Sequence, residues 1–191
     1  MTNRFGPRRR NLNIPGHAHE LTFSCYQGYA FLSKDRTRLW LVDSINAARD
    51  IHDFALWAWV FMPDHVHLIV YPRREIYDIA DIRGSIKEPV ARNAIAYMKE
   101  NAPEWIAKIT RQRGKKTERL FWQSGGGYDR NIDNPKTLWK MIDYIHANPI
   151  RRELVKRAID WEWSSATWYE TQVQYNGLLP IDEMPEAWSS D

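Results

Sequence analysis

Cysteine occurs once in the 191 residues, at Cys25, so no disulfide can form within the chain and a reducing, cytoplasmic location is expected. No apolar run approaches the length of a membrane span, and the basic N-terminal stretch has no apolar centre of the kind a secretion signal needs. A membrane partner is therefore not expected. The three consecutive glycines Gly125, Gly126 and Gly127 lack the lysine and the helix-opening context of a nucleotide phosphate loop. They read as a mobile turn. Internal repeats are absent, and the length suits one domain that buries its own core.

Basic residues are what the chain has in excess. Lysine and arginine total 27 against 24 acids, for a net charge of +3, and the pI near 9.0 leans towards a polyanionic partner. They gather in two places. Residues 1–17 carry Arg4, Arg8, Arg9 and Arg10 with Pro7, Pro15 and Gly16, and read as a flexible basic arm. Residues 108–119 hold Lys108, Arg111, Arg113, Lys115, Lys116 and Arg119 against Glu118 alone, without an apolar stripe, and read as an exposed basic loop. Both runs suit a phosphate backbone; a solvated tail fits the arm equally well, and charged runs like the loop are usually just solvated. Ten tryptophans supply core, and indoles also make platforms for unstacked bases.

Periodicity sets out the remaining elements. His19–Tyr26 alternates as a strand, and Leu39, Val42, Ile45 and Ala48 space a helix from about Asp35 to His52. Phe54–Phe61 is a strand rich in aromatic and β-branched residues. The turn Met62-Pro63-Asp64 joins it as a hairpin to a strand ending at Pro72. Ile76, Ile79, Ile82 and Ile86 space a second helix, which Pro89 should interrupt before Val90, Ala94 and Met98 resume it. Leu120–Gln123 reads as a short fourth strand. Asp133 or Asn134 caps a helix with Leu138, Met141, Ile142 and Ile145 as its core stripe, ended by Pro149. Tyr144 lies on the flank of that stripe, with Asn148 one turn further on the same side. A short helix is expected from Ile150 to Lys156. The order predicts an α+β, ferredoxin-like fold: a four-stranded antiparallel sheet with helices on one face, plus a C-terminal helix carrying Tyr144. Residues 18–170 form the domain, and 171–191 read as a surface tail.

The stretch with the most chemistry in it is FMPDHVHLIVYP, Phe61 to Pro72. On a strand, His65, His67 and Ile69 share one face, while Val66, Leu68 and Val70 cover the other. Two imidazoles so placed can share a metal ion or grip a phosphate when protonated. Taken alone, the pair also fits two half-buried histidines satisfied by their neighbours.

Three stretches together resemble one family. Met62 to Leu68 is similar to the MPDHVH strand of the HUH single-tyrosine transposases. Asp143 to Ile150, followed by Leu154-Val155, resembles their YIHxNPV…LV helix. Trp161 to Ser165 is similar to the DWxWSS ending of the REP-associated branch. With Phe121-Trp122-Gln123, the resemblance runs from about His19 to Tyr169. It implies a metal-dependent nuclease and strand transferase acting on single-stranded DNA, often at hairpins with REP-like sequence. It implies His65 and His67 as ligands of Mg2+ or Mn2+, Tyr144 as the nucleophile and Asn148 as a third metal ligand. DNA contacts are expected from Arg8, Arg9, Arg10, Arg111, Arg113, Lys115, Lys116, Arg151 and Arg152. Relatives form homodimers or monomers, so a homodimer is possible. The chain departs from the pattern at Ile150, usually Val, and at Glu153, where many relatives have Gly. A hairpin-binding protein on the same fold with an idle site is the alternative. A zinc hydrolase fits least, because no further His or Asp stands at matching spacing.

Overall fold

A computed structural model of the chain describes residues 12–173 and 179–189. Arg8, Arg9 and Arg10 lie outside these. Four strands, β1 (Ala18–Ser24), β2 (Phe54–Phe61), β3 (His65–Pro72) and β6 (Tyr128–Ile132), form one antiparallel sheet in the order β2-β3-β1-β6. Helices α1 (Asp35–His52) and α2 (Ile79–Asn101) cover one face, and α4 (Pro135–His146) lies on the other. This is the ferredoxin-like α+β arrangement with an added C-terminal helix. Between α2 and β6 come the short α3 (Glu104–Ile109), β4 (Thr110–Arg113) and β5 (Lys116–Arg119); α5 (Asn148–Arg151) and α6 (Ala166–Thr171) follow α4.

Alternation divides the side chains between two cores. Leu21, Phe23, Val66, Leu68 and Val70 join Leu41, Ile45, Ile82 and Ile86 under α1 and α2. Ile69, Ala55, Trp57, Ala58 and Val60 join Leu138, Met141, Ile142 and Ile145 under α4. A bulge between Leu56 and Ala58 in β2 puts both Trp57 and Ala58 on the α4 side. Covered on both faces of the sheet, all eight residues of this strand are buried.

Several elements differ from the sequence-based expectation. The fourth strand is Tyr128–Ile132 rather than Leu120–Gln123, which contributes one bridge, Cys25 to Trp122. YDRNI shows little apolar alternation because it is an edge strand. It is fixed from outside: buried His19 joins Asp129 Oδ1 through Nδ1 at 2.8 Å and Tyr77 Oη through Nε2 at 2.7 Å. Helix α2 runs through Pro89 unbroken. Buried Ile82, Ile86, Val90 and Ala94 continue one face across the proline, and their packing outweighs its lost hydrogen bond. Ile76 is outside this helix and 92% exposed, and Asp78 caps it by accepting the Ala80 N–H. The basic loop is a β4–β5 hairpin turning at Gly114, whose φ of 61° is left-handed. The short helix expected at Ile150–Lys156 comes earlier, as the single turn Asn148–Arg151.

The tail does more than lie on the surface. Leu179 and Trp188 are buried, one in each core, and Asp182 accepts from the Leu56 N–H at 2.8 Å and from Arg49 at 2.6 Å.

Candidate active site

The geometry begins with the strand pairing. Register sets Thr22 beside His67 and Tyr128 beside Thr22, so three strands bring polar side chains together on the α4 side. A cleft of about 400 Å³ results, lined by Glu20, Thr22, His67, Tyr128, Arg130, Met141 and Tyr144. His65 stands at its edge, its ring centroid 4.9 Å from that of His67, and Tyr144 faces His67 at 6.4 Å. The α4 stripe explains the placement of the tyrosine: Leu138, Met141, Ile142 and Ile145 are buried, which leaves Tyr144 on the flank and 51% exposed.

Hydrogen bonds orient both imidazoles. His65 Nδ1 meets Asp64 Oδ1 at 2.7 Å, so Nδ1 carries the proton and Nε2 keeps its lone pair. His67 Nδ1 meets Thr22 Oγ1 at 2.8 Å and Glu20 Oε1 at 3.2 Å, and Thr22 donates its own proton to Glu20. The same tautomer follows. Burial, then the neighbouring His67, pushes the His65 pKa below its ordinary value against the pull of Asp64, which favours the neutral, ligating form. Both rings are largely buried, with side chains 13% and 6% exposed.

One atom tests the fit to a metal. Among the described residues, buried His67 Nε2 has no hydrogen-bond partner, a costly arrangement for a polar group unless something is to be bound there. Two neighbouring imidazoles, each with a carboxylate at Nδ1, could hold a metal ion through Nε2. Asn148 is placed differently. Its Nδ2 donates to the carbonyls of Tyr144 at 3.3 Å and Ile145 at 3.1 Å, it makes no hydrogen bond to either histidine, and it does not line the cleft.

The two arginines after α4 both turn back to the site. Arg151 donates to the Tyr144 carbonyl at 2.8 Å, with its guanidinium carbon 4.3 Å from the tyrosine ring centroid. Arg152 donates to Asp64 Oδ2 at 3.1 Å, bracing the carboxylate that orients His65. The other expected DNA contacts among the described residues do not line the cleft: Arg113, Lys115 and Lys116 are exposed on the β4–β5 hairpin, and Arg111 is paired with Glu118 at 2.7 Å.

Sequence reasoning missed Glu20, Thr22, Tyr128 and Arg130. Only strand register reveals them, although the alternation of β1 does put Glu20 and Thr22 together on one face. Two motif residues prove structural. His146 Nε2 meets Ser165 Oγ at 2.8 Å, and that oxygen also accepts the Trp59 N–H at 2.9 Å, so the helix motif and the Ser-Ser motif tie α4 to β2. Burial pushes the His146 pKa down to about 4.

No family model matches the chain. A solved REP-associated tyrosine transposase, with a REP hairpin bound, shares the fold at a TM-score of 0.66, covering 97% of this chain and 95% of its own at 21% identity. A Haemophilus influenzae protein named for the same transposases is 30% identical over 175 residues, which is 85% of this chain and 86% of that protein. Identity at that level across most of both sequences establishes kinship as well as fold, and this chain belongs to the REP-associated tyrosine transposases of the HUH family.

Proposed function

We propose that this protein cleaves and rejoins single-stranded DNA beside hairpins, with Tyr144 as nucleophile and His65 and His67 as ligands of Mg2+ or Mn2+. The observation that carries the reading is the buried His67 Nε2, without a hydrogen-bond partner among the described residues, on a ring whose centroid is 6.4 Å from that of Tyr144 in an open cleft. Imidazole ligands suit Mn2+ at least as well as Mg2+, which prefers oxygen. Asn148 is the candidate for a third ligand, through an amide oxygen that no described residue hydrogen-bonds. The ion supplies neutralisation of a phosphate oxygen that would otherwise repel the nucleophile.

The protein's own groups do the rest. As the phenol loses its proton, Tyr144 Oη forms a bond to phosphorus and the bond to the 3′ oxygen breaks. That oxygen takes a proton and leaves as a 3′-hydroxyl, with a 5′-phosphotyrosine left behind. The covalent link keeps the bond energy, so a 3′-hydroxyl can reverse the step and rejoin the strand. Arg151 holds the tyrosine from its carbonyl and ring face, while Arg130, exposed at the cleft, offers a cation to the phosphate. Arg113, Lys115 and Lys116, together with Arg8, Arg9 and Arg10 of the arm, suit the flanking backbone. The hairpin preference rests on the solved relative bound to a REP hairpin.

A labelled hairpin oligonucleotide with a single-stranded flank, incubated with Mn2+, tests this. Wild type should form a covalent adduct on the peptide containing Tyr144, and His67→Gln should not. Tyr144→Phe should bind the DNA, change stability by about 1 kcal/mol or less, and form no adduct. An adduct on Tyr128 or Tyr169 would name another nucleophile. Binding without any adduct in wild type would leave a hairpin-binding protein with an idle site.

A further inference from the structure

A second basic cleft lies around the sheet edge from His67. It has a volume of about 350 Å³ and sits between the middle of α2 and the loop that carries Trp122, Gly125 and Gly126. Arg83 and Lys87, one helical turn apart, both line it. Arg83 is 7% exposed, and among the described residues it has no hydrogen-bond or ion-pair partner. Lys87 Nζ donates to the Gly125 carbonyl at 3.2 Å and lies 5.6 Å from the Phe23 ring centroid. Among the described residues, the one acid lining the cleft is Glu88, which is exposed and forms no salt bridge with either cation. Burial, and then the charge of Arg83, bring the Lys87 pKa down to about 8. Two cations side by side, with Lys87 desolvated by burial, oppose folding unless an anion joins them.

The loop is built to hold its place. A Cβ at Gly126 would come within 2.7 Å of Arg83 Nη2, and one at Gly127, where φ is 74°, would collide with the Thr22 carbonyl. Trp122 Nε1 donates to the Lys87 carbonyl at 2.8 Å, tying the loop to the helix from its other end. The same loop leads directly into Tyr128, which lines the His67 cleft. Gly126 and Tyr128 are two residues apart, a span of at most roughly 7 Å, short on the scale of a nucleotide chain.

We propose that Arg83 and Lys87 form a second phosphate site, holding a backbone phosphodiester of the DNA strand that passes Tyr128 on its way from the His65–His67 cleft. This rests on the reading of the protein as one that acts on single-stranded DNA. The guanidinium, unpaired among the described residues, supplies a directional grip, and Lys87 adds a charge that the bound phosphate stabilises.

The test uses the full chain in the Tyr144→Phe background, so that binding is read apart from chemistry. Arg83→Gln and Lys87→Gln should each weaken binding of the hairpin oligonucleotide about five- to ten-fold. The double variant should lower the salt slope by about 0.7, the value for one single-strand phosphate, because both side chains hold the same group. Lys87→Gln should melt at or above the parent temperature, since it removes a desolvated charge, whereas a merely structural lysine would lower it. If Arg83→Gln does not fold, amine labelling carries the test: at pH 8 the oligonucleotide should slow modification of Lys87 at least about five-fold, mapped by peptide mass.

Unchanged affinity and slope in folded variants, or unprotected Lys87, would overturn the proposal. Protection by inorganic phosphate but not by oligonucleotide would assign the cleft to a free anion and overturn the DNA assignment. Failure of the active-site reading looks different. A wild type that forms no adduct while DNA protects Lys87 sinks the nucleophile alone; an adduct without protection sinks the phosphate site alone.

Discussion

The two faces of strand β3 make the sharpest contrast in the molecule. Val66, Leu68 and Val70 are fully buried under α1 and α2, in a core where β1 adds Leu21 and Phe23. One residue out of phase, His65 and His67 join Glu20 and Thr22, and the apolar surface resumes only at Ile69. A single strand thus anchors the fold on one side and presents two imidazoles on the other. The period of two keeps these duties on different residues. Substitutions on the helix side should therefore cost stability, and those on the cleft side should cost chemistry.

Leu68→Ala should show the largest stability loss, about 2–5 kcal/mol in denaturant unfolding, because it opens a cavity in a fully buried site. The fraction that remains folded should still form the Tyr144 adduct. Loss of the adduct in folded Leu68→Ala would break the division between the faces.

His146 sharpens the contrast from within the α4 side, since it belongs to the motif helix yet serves packing. Its pKa of about 4 lies below the ordinary 6.5, so the unfolded chain binds the proton more readily. The stability from the neutral ring is complete above about pH 6.5 and is lost as pH falls towards 4, a change of about 3 kcal/mol. Urea midpoints across this range should follow that fall in wild type and flatten in His146→Gln. An unchanged slope in the variant would remove His146 as its source.

The smallest effect is expected at Glu153, which follows α5 with φ of 56°, a left-handed conformation that a side chain disfavours. The resemblance puts glycine there in many relatives, and the backbone supplies the reason. Glu153→Gly should stabilise by about 0.5–1 kcal/mol in the same unfolding assay and leave adduct formation unchanged. A loss of stability would mean that Glu153 makes contacts worth more than its strain.

How far the sequence could be read depended on the range of the interaction involved. Helix α1 and strand β2 have the bounds that periodicity and aromatic content predict, since both are written in consecutive residues. The shared face of His65 and His67 followed from strand geometry alone. Strand β6 was missed because an edge strand carrying Asp129, Arg130 and Asn131 shows little local pattern, and its position depends on His19, over a hundred residues away. Pro89 misled for the opposite reason: a strong local breaker gave way to the buried face of α2.

The sequence by itself determined the ferredoxin-like element order, the parity that aims the histidines, and the stripe that leaves Tyr144 on the flank of its helix. Tertiary structure alone decided what those side chains meet. Register between β1 and β3 brought Glu20 and Thr22 to His67, and the docking of α4 set Tyr144 across the cleft. The packing of α2 against the Trp122–Gly126 loop put Arg83 and Lys87 in one cleft, without an ion pair to either among the described residues. Alternation and helical spacing act over a few residues and can be read in order along the chain. Pairing register, burial and charge environment arise between segments that are distant in sequence, and they acquire values only when those segments pack.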